Sequence, residues 1–359
     1  MSLVLTRIQN TRAKSNMDKF EYRASRYGAL NAFMVQSSDP TGILTQELKD
    51  KAKTSIGTNL ETPVIDYDKG ITIGNERTLT IQDSENTSRF VQITFATYAW
   101  GFTIAPAMYM NNEVGIQKDF DTKMMKYIYK FAQKLDEAAL AALAANKTQV
   151  IKNGLLYDKA GNVINAKWSE RENVFGDLEV MMGANDFYGQ LHIVGDPGVE
   201  SIMRKLQQHG LYNDVNKQNE FGTKVVHLTN NLAATPGKYA QGYAVSEGAL
   251  GMLTRFERDC LLGTVSGDGH EWGIATLPLL NMPVGTYFYD SVGDYSGIAG
   301  EATADMKRTR KEHYGFAVDV AFVTAYNSDP ETLPSPIMAF NVSSEDATYA
   351  KPVFVVNQQ

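Results

Sequence analysis

Residues 124–147 read MMKYIYKFAQKLDEAALAALAANK, and this stretch decides the fold because its apolar side chains recur three and four positions apart. That spacing places them along one face of an α-helix. The stripe starts before the quoted stretch, so the spacing predicts a single helix over residues 117–146, which approaches ~40 Å at about 1.5 Å per residue. The stripe consists of Phe120, Met124, Tyr127, Ile128, Phe131, Leu135, Ala138 and Ala142.

The opposite face of this helix is basic. It carries Lys123, Lys126, Lys130 and Lys134. Like charges four residues apart destabilise an isolated helix by roughly 0.2–0.5 kcal/mol per pair. The plainer interpretation is a solvated face with acidic side chains nearby. The alternative is a surface turned toward a polyanion such as DNA, and both stay open at this point.

Positive charge is also concentrated at the beginning of the chain. The formal net charge is -7, but residues 1–26 carry +4 and the remainder carries -11. Residues 1–58 are polar and weakly periodic, which predicts an extended arm with at most short helices, one of them near residues 46–53. Arg7, Arg12 and Lys14 lie in this arm and are further candidates for contact with DNA.

An aromatic strand without charges precedes the helix. In RFVQITFATYAWGFTIAP (residues 89–106), the apolar positions alternate on one parity up to Phe95 and on the other parity from Tyr98. This change of phase predicts one long strand with a bulge near residues 96–97. Residues 62–82 break into short alternating pieces separated by turn signals, which is typical of β-structure.

Beyond residue 150, helical and strand patterns alternate, which predicts an α+β body. A helix is predicted near residues 174–182, and Asp196 is predicted to cap another helix that begins at Pro197 and stops at Gly210. Strands follow over residues 223–229 and 241–247, then a short helix over GALGMLTRF (248–256). Further strands are predicted over residues 271–279 and 286–292, and a long one over 313–326.

The sequence contains no catalytic or nucleotide-binding motif of the common kinds. With Cys260 as the one cysteine, an intrachain disulfide and a thiolate zinc site are excluded, and a reducing cytosol fits. Asp268, His270 and Glu271 lie close together in a glycine-rich segment, but their spacing matches no metal-ligand pattern, so a flexible polar loop is favoured. No cofactor, signal peptide or membrane-spanning segment is indicated.

Two other polar features have plain structural interpretations. His192 and His227 sit inside apolar strand patterns, where a hydrogen-bonded structural histidine is the ordinary case. The basic run KRTRKEH (residues 307–313) has acidic flanks and no pattern of stacking aromatics. It is interpreted as a solvated loop or as a salt-bridge partner between subunits, ahead of a phosphate-binding segment.

The order of parts resembles the major capsid proteins of tailed double-stranded DNA bacteriophages, which have the Hong Kong 97 fold. SRFVQITFATYAWGFTIAP followed by KDFDTKMMKYIYKFAQKLDEAALAALAANK looks like that family's extended loop leading into its spine helix. GQLHIVGDPGVESIMRKLQQHG is similar to a strand and helix of its axial domain, and HYGFAVDVAFVTAYNSDPE to its returning peripheral strand.

The resemblance implies an α+β domain organisation of four parts. These are an N-terminal arm (1–58), an extended β-loop (59–105), a peripheral domain (106–175 and 303–359) that holds the spine helix (117–146), and an axial domain (176–302). Asp68, Lys69, Arg77 and Glu85 would then be contacts between subunits on the extended loop. Cross-linking through Lys69 is the less favoured interpretation, since an exposed turn lysine is far commoner.

The resemblance also implies a function. It predicts a structural protein without enzymatic activity that self-assembles as pentamers and hexamers into an icosahedral shell around packaged double-stranded DNA. Its expected partners are further copies of itself, a portal, possible decoration proteins, a separate scaffolding protein, and DNA through weak non-specific contacts, with no membrane. The expected location is the virion capsid, after assembly in the bacterial host cytoplasm.

Two alternatives stay open. The first shares the fold and is a shell protein of an encapsulin-like bacterial nanocompartment. The second belongs to another class and is a metal-dependent hydrolase that uses Asp268, His270 and Glu271.

Overall fold

The computed structural model describes residues 3–12, 26–39, 42–54, 60–65, 88–109, 112–147, 150–151, 154–210, 224–264, 269–294, 308–324 and 334–344. Within these ranges the helices are α1 (Leu3–Arg12), α2 (Gly28–Ser37), α3 (Gln46–Thr54), α4 (Glu113–Ala145), α5 (Val174–Ala184), α6 (Pro197–Gly210) and α7 (Arg258–Leu262). The strands are β1 (Leu60–Ile65), β2 (Ser88–Ile93), β3 (Ala96–Ile104), β4 (Asp158–Ala160), β5 (Val163–Ala166), β6 (Leu191–Gly195), β7 (Lys224–Leu228), β8 (Lys238–Ser246), β9 (Leu250–Arg255), β10 (His270–Thr276), β11 (Pro283–Asp294), β12 (Arg308–Thr324) and β13 (Ile337–Ser343).

Two large sheets organise the described residues. The first has the order β10-β11-β12-β3, and β9 also pairs with β12. The second has the order β4-β5-β13-β8-β6-β7. Strand β12 is 17 residues long because it pairs with β11, β3 and β9 along its length. The mixture of helices with largely antiparallel sheets is the α+β class that the sequence predicted.

The long helix predicted from the apolar stripe is confirmed as α4. It runs from Glu113 to Ala145, and the side chain of Asn112 caps it by accepting a hydrogen bond from the Val114 amide at 2.9 Å. Its first half packs on the five-stranded sheet, where the ring of Phe120 contacts Phe102 and Tyr314 at centroid distances of 5.4 and 5.1 Å. These rings form the centre of the largest hydrophobic core.

The change of phase near residue 96 has a different cause from the predicted bulge. Strand β2 ends at Ile93 and pairs with β1, whereas β3 begins at Ala96 and pairs with β12. The chain therefore leaves one sheet and enters another at this point. Ile93 is buried in one core and Phe102 and Ile104 in another, so the apolar parity changes where the sheet changes.

Two segments predicted as a helix and a loop are strands. Residues 250–255 form β9 because they pair with residues 319–324 of β12. Gly251 permits close packing there, since a Cβ at this position would lie 2.5 Å from Leu44 Cγ. The basic run at residues 307–313 falls in β12 from Arg308 onward, where Arg310 bonds to Asp290 on the adjacent strand β11.

Sheet membership divides the chain differently from the predicted domain boundaries. Strands β9, β10 and β11 fall within the predicted axial range 176–302, but they pair in the same sheet as β3 and β12. Strand β13 falls within the predicted peripheral range 303–359, but it pairs with β8 and β5 in the other sheet. The chain crosses between the sheets several times, and contiguous ranges do not describe such crossings.

The six-stranded sheet is covered by helices on both faces. Helices α5 and α6 pack on one face, with Phe175, Leu178 and Val199 in the core against it. The Asp196 carboxylate caps α6 as predicted, accepting hydrogen bonds from the amides of Gly198 and Val199 at 2.9 and 3.0 Å. Helix α2 packs on the other face, where Phe33 lies in a core with Val194 and Val245.

The N-terminal residues that the structure describes are not an extended arm. They form α1, α2 and α3, of which α3 confirms the helix predicted near residues 46–53. Val4 and Ile8 of α1 are buried in the core beneath α4, and Phe33 of α2 is fully buried against both sheets. These segments fold because the body of the same chain covers their apolar side chains.

Candidate functional site

The predicted basic face of α4 contains two kinds of lysine. Lys123 donates hydrogen bonds to the carbonyl of Thr103 at 2.9 Å and to Asp119 at 2.8 Å. Lys134 lies 2.7 Å from Glu137, and this hydrogen bond raises the pKa of Lys134 above its ordinary value. Both lysines are therefore partly neutralised by neighbours, as the plainer interpretation held.

Lys126 and Lys130 differ from these two. Both are exposed, and no ion pair to either is found within the described ranges. They lie four residues apart and therefore on the same side of the helix. Of the four lysines, these two are the exposed ones for which the described residues provide no acidic partner.

Arg7 does not lie on a surface that could face DNA. It is 4% exposed, its Nη2 lies 3.3 Å from Glu312 Oε2, and its Nε donates to Tyr314 Oη at 2.8 Å. Burial, together with the hydrogen bond to Glu312, raises the pKa of the Tyr314 hydroxyl. The prediction for Arg7 is wrong because carboxylates on β12 and α4 compensate its charge inside the core. Arg12 ends α1 with its side chain outside the described set, and Lys14 lies outside the described residues.

Of the range predicted as the extended loop (59–105), the structure describes residues 60–65 and 88–105. Strands β1 and β2 form a separate two-stranded antiparallel sheet, paired from Leu60 with Ile93 to Ile65 with Ser88. Leu60 and Ile93 are buried in a small core with Leu44 and Leu48, next to strands β9 and β12. The candidate contacts Asp68, Lys69, Arg77 and Glu85 lie outside the described residues.

Among the described residues, the candidate metal ligands do not come together. His270 and Glu271 are consecutive residues of β10, so their side chains point to opposite faces. His270 is hydrogen-bonded to the Tyr287 hydroxyl at 2.6 Å, and Glu271 accepts from the Leu3 amide at 3.1 Å. Asp268 lies outside the described residues, and among those described no group of three potential metal ligands converges. The prediction of a flexible loop is wrong for His270 and Glu271, because both lie in strand β10.

Asp136 is a buried structural position that the sequence interpretation missed. Its carboxylate is fully buried and accepts hydrogen bonds from the Leu30 amide at 2.9 Å, the Thr229 hydroxyl at 2.6 Å and the Asn231 amide group at 2.8 Å. Burial raises the pKa of this carboxyl, and the hydrogen bonds oppose that effect. Asp136 thus joins α4 to the start of α2 and to the end of β7. The signal was a lone carboxylate four residues from the buried Ala132 and Leu140.

No family model and no curated protein matches the chain. Solved structures do match. The chain is similar to one from a structure titled "Capsid structure of the Cyanophage P-SCSP1u", at 10% identity and a TM-score of 0.42, covering 80% of this chain and 83% of that one. It is similar to one titled "Capsid of Ralstonia phage GP4", at 9% identity and a TM-score of 0.43, covering 80% and 84%. A chain from Mycobacterium phage Patience matches at 10% identity and a TM-score of 0.39, over 93% and 92%.

None of the described helices combines the length and the apolar character that crossing a membrane requires.

Proposed function

We propose that this chain is a structural shell protein of the phage-capsid type, which self-assembles as pentamers and hexamers around packaged double-stranded DNA. The observation that carries the proposal is the β1–β2 hairpin. It is a sheet of its own and joins neither large sheet within the described residues. A protein that acts through its surfaces needs such an element, because the hairpin presents strand edges to other chains.

An isolated two-stranded hairpin is at best marginally stable in water. At one end of the paired strands, Leu60 and Ile93 are buried against the body. The paired strands continue from this end as far as Ile65 and Ser88. Unpaired amide and carbonyl groups along a strand edge favour pairing with another chain. A neighbouring copy supplies that cover, and repetition of the same contact under closed symmetry produces a shell.

Assembly of the purified full-length chain tests this proposal. Gln92 is exposed on β2 opposite Glu61, and Gln92→Pro removes a backbone donor and disfavours the strand. Gln92→Thr is the matched control, because threonine is compatible with a strand. We expect uniform closed particles from the wild type and the Thr variant by electron microscopy, and none from a folded Pro variant. Particles from Gln92→Pro in normal yield would contradict the role of the hairpin.

The same proposal assigns the DNA-facing charge to Lys126 and Lys130. Each phosphate contact contributes about 0.9 to the slope of log affinity against log salt concentration. Replacing both lysines by glutamine is therefore expected to reduce that slope by about 1–2 for duplex DNA of random sequence. Lys134→Gln, at a lysine already paired with Glu137, is the control and is expected to change the slope little. Equal effects of the two variants would contradict this assignment.

Assembly in the host cytoplasm, a separate scaffolding protein, a portal and decoration proteins belong to the same proposal. Co-expression of the chain with the products of neighbouring genes, followed by purification of the particles, tests which of these partners is required.

A further inference from the structure

Two buried histidines form a hydrogen-bonded pair in the six-stranded sheet. His192 lies on β6 and His227 on the adjacent parallel strand β7, and they are 3% and 8% exposed. His192 Nδ1 and His227 Nε2 are 3.2 Å apart, and the two rings are nearly parallel at 10°. The sequence predicted structural histidines at these positions, but it contained no sign that they bond to each other.

The pair faces helix α2. Residues two apart on a strand share a face, so His192 lies on the same face of β6 as Val194, and His227 lies opposite Val194 in the register of β7. Val194 packs in a core with Ala29, Ala32 and Phe33 of α2. Gly28 approaches β7 so closely that a Cβ there would lie 2.6 Å from the Leu228 carbonyl.

Helix α2 also connects this face to the other sheet. Gln36 Oε1 accepts a hydrogen bond from the Leu250 amide at 2.9 Å, and Ser37 Oγ accepts one from the Met252 amide. Both amides belong to β9 of the five-stranded sheet. Helix α2 therefore contacts both sheets.

The groups around the pair offer little compensation for added positive charge. Helix α2 contains no titratable residue. The acidic groups that act on His192 are Glu247, whose carboxylate accepts from the Gln190 amide, and Asp39 just beyond α2. Asp136 on α4 already accepts hydrogen bonds from Leu30, Thr229 and Asn231, and Tyr243 on β8 is a neutral phenol whose pKa is raised further by burial.

The chemistry of the pair depends on its protonation. When both rings are neutral, one N–H donates to the lone pair of the other ring. One added proton leaves a charged donor and a neutral acceptor in a buried site. A second added proton removes the acceptor and places two cations 3.2 Å apart. Two such charges repel strongly away from water.

We propose that His192 and His227 form a pH-sensitive contact that holds α2 against the six-stranded sheet at neutral pH and releases it in acid. Burial lowers the pKa of both rings, to about 4 for His227, where the neighbouring His192 adds to the effect. The unfolded chain binds these protons near pH 6.5. The stabilisation by the neutral pair is therefore complete above about pH 6.5 and is lost as the pH falls toward about 4.

Hydrogen exchange of the full-length protein from pH 7.5 to 4.5, corrected for the intrinsic exchange rate, tests the proposal. For each proton taken up, protection of residues 28–37, 191–195 and 224–228 is expected to fall by up to about tenfold per pH unit below 6.5. His192→Gln combined with His227→Gln is expected to remove most of this dependence. His270→Gln, on β10 of the other sheet, is the matched control and is expected to leave it unchanged.

The proposal is overturned if the double variant keeps the pH dependence of the wild type. A second measurement applies if that variant does not fold. Proton NMR of the wild-type imidazoles is expected to show His227 uncharged at pH 5.5 and His192 titrating below its ordinary pKa, among the five histidines of the chain. Titration of all five near pH 6.5 contradicts the proposal.

Discussion

Asp136→Ala is expected to weaken the junction between α4, α2 and β7. The substitution removes one buried acceptor and leaves three donors: the Leu30 amide, the Thr229 hydroxyl and the Asn231 amide group. Leu30 and Thr229 are fully buried, so water cannot easily replace the lost partner. An unsatisfied buried donor destabilises a protein by about 1–3 kcal/mol.

Two such donors, together with the partly exposed Asn231, give an expected loss of about 3–5 kcal/mol in the free energy of unfolding. This expected loss is smaller than the sum of three strong hydrogen bonds. Burial of the Asp136 carboxylate raises its pKa, and the free energy of removing the carboxylate from water already offsets part of what the hydrogen bonds contribute. Asp136→Asn keeps the shape and one acceptor oxygen, so a loss of about 1–3 kcal/mol is expected. This milder variant stays measurable if the alanine variant does not fold.

Urea unfolding of the unassembled chain at pH 7.5, followed by far-ultraviolet circular dichroism, measures these differences. Glu137→Ala is the matched control, since Glu137 is the next residue on α4 and pairs at the surface with Lys134. A surface pair of this kind contributes about 0–1 kcal/mol. The reasoning is refuted if Asp136→Ala destabilises the protein no more than Glu137→Ala does.

Two further predictions concern close packing and the buried thiol. Gly28→Ala is expected to destabilise the protein by about 1–3 kcal/mol, because the new Cβ would lie 2.6 Å from the Leu228 backbone. Gly183→Ala in α5 is expected to stabilise the protein by roughly 0.5–1 kcal/mol, because the new Cβ meets no atom within 4 Å. Thermal unfolding of both variants checks this pair, and equal melting temperatures would contradict it. Cys260 is buried, and burial chiefly raises its pKa, so alkylation by iodoacetamide at pH 7.5 is expected to be at least about tenfold slower in the native protein than in urea. Mass spectrometry measures this ratio, and a native rate equal to that in urea would contradict the prediction.

Elements encoded by local periodicity were predictable from the sequence. Helix α4 follows from the spacing of its apolar stripe, and the N-cap of α6 follows from Asp196 before Pro197. Strand β12 also carries a clear alternation, and only its first residues were missed. In each case the deciding residue pattern lies within a single segment, so it can be read from the sequence without the fold.

Elements that depend on distant partners were not predictable in this way. Residues 250–255 have a pattern compatible with a short helix, and pairing with residues 319–324 makes them a strand. Arg7 was predicted to be a candidate for contact with DNA, but it is buried and donates hydrogen bonds to Glu312 and Tyr314, about 300 positions away. Local propensity is a weak preference that such tertiary contacts override.

The sequence by itself determined the α+β class, the long helix and the absence of the common catalytic motifs. Only the tertiary structure decided which strands share a sheet, which of the four α4 lysines pair with acidic neighbours, and that His192 meets His227. Strand pairing and burial bring together groups far apart along the chain, and their free energies depend on the partner and on the loss of water around it. The spacing of residues along a single segment therefore predicts neither the pairing partner nor the burial.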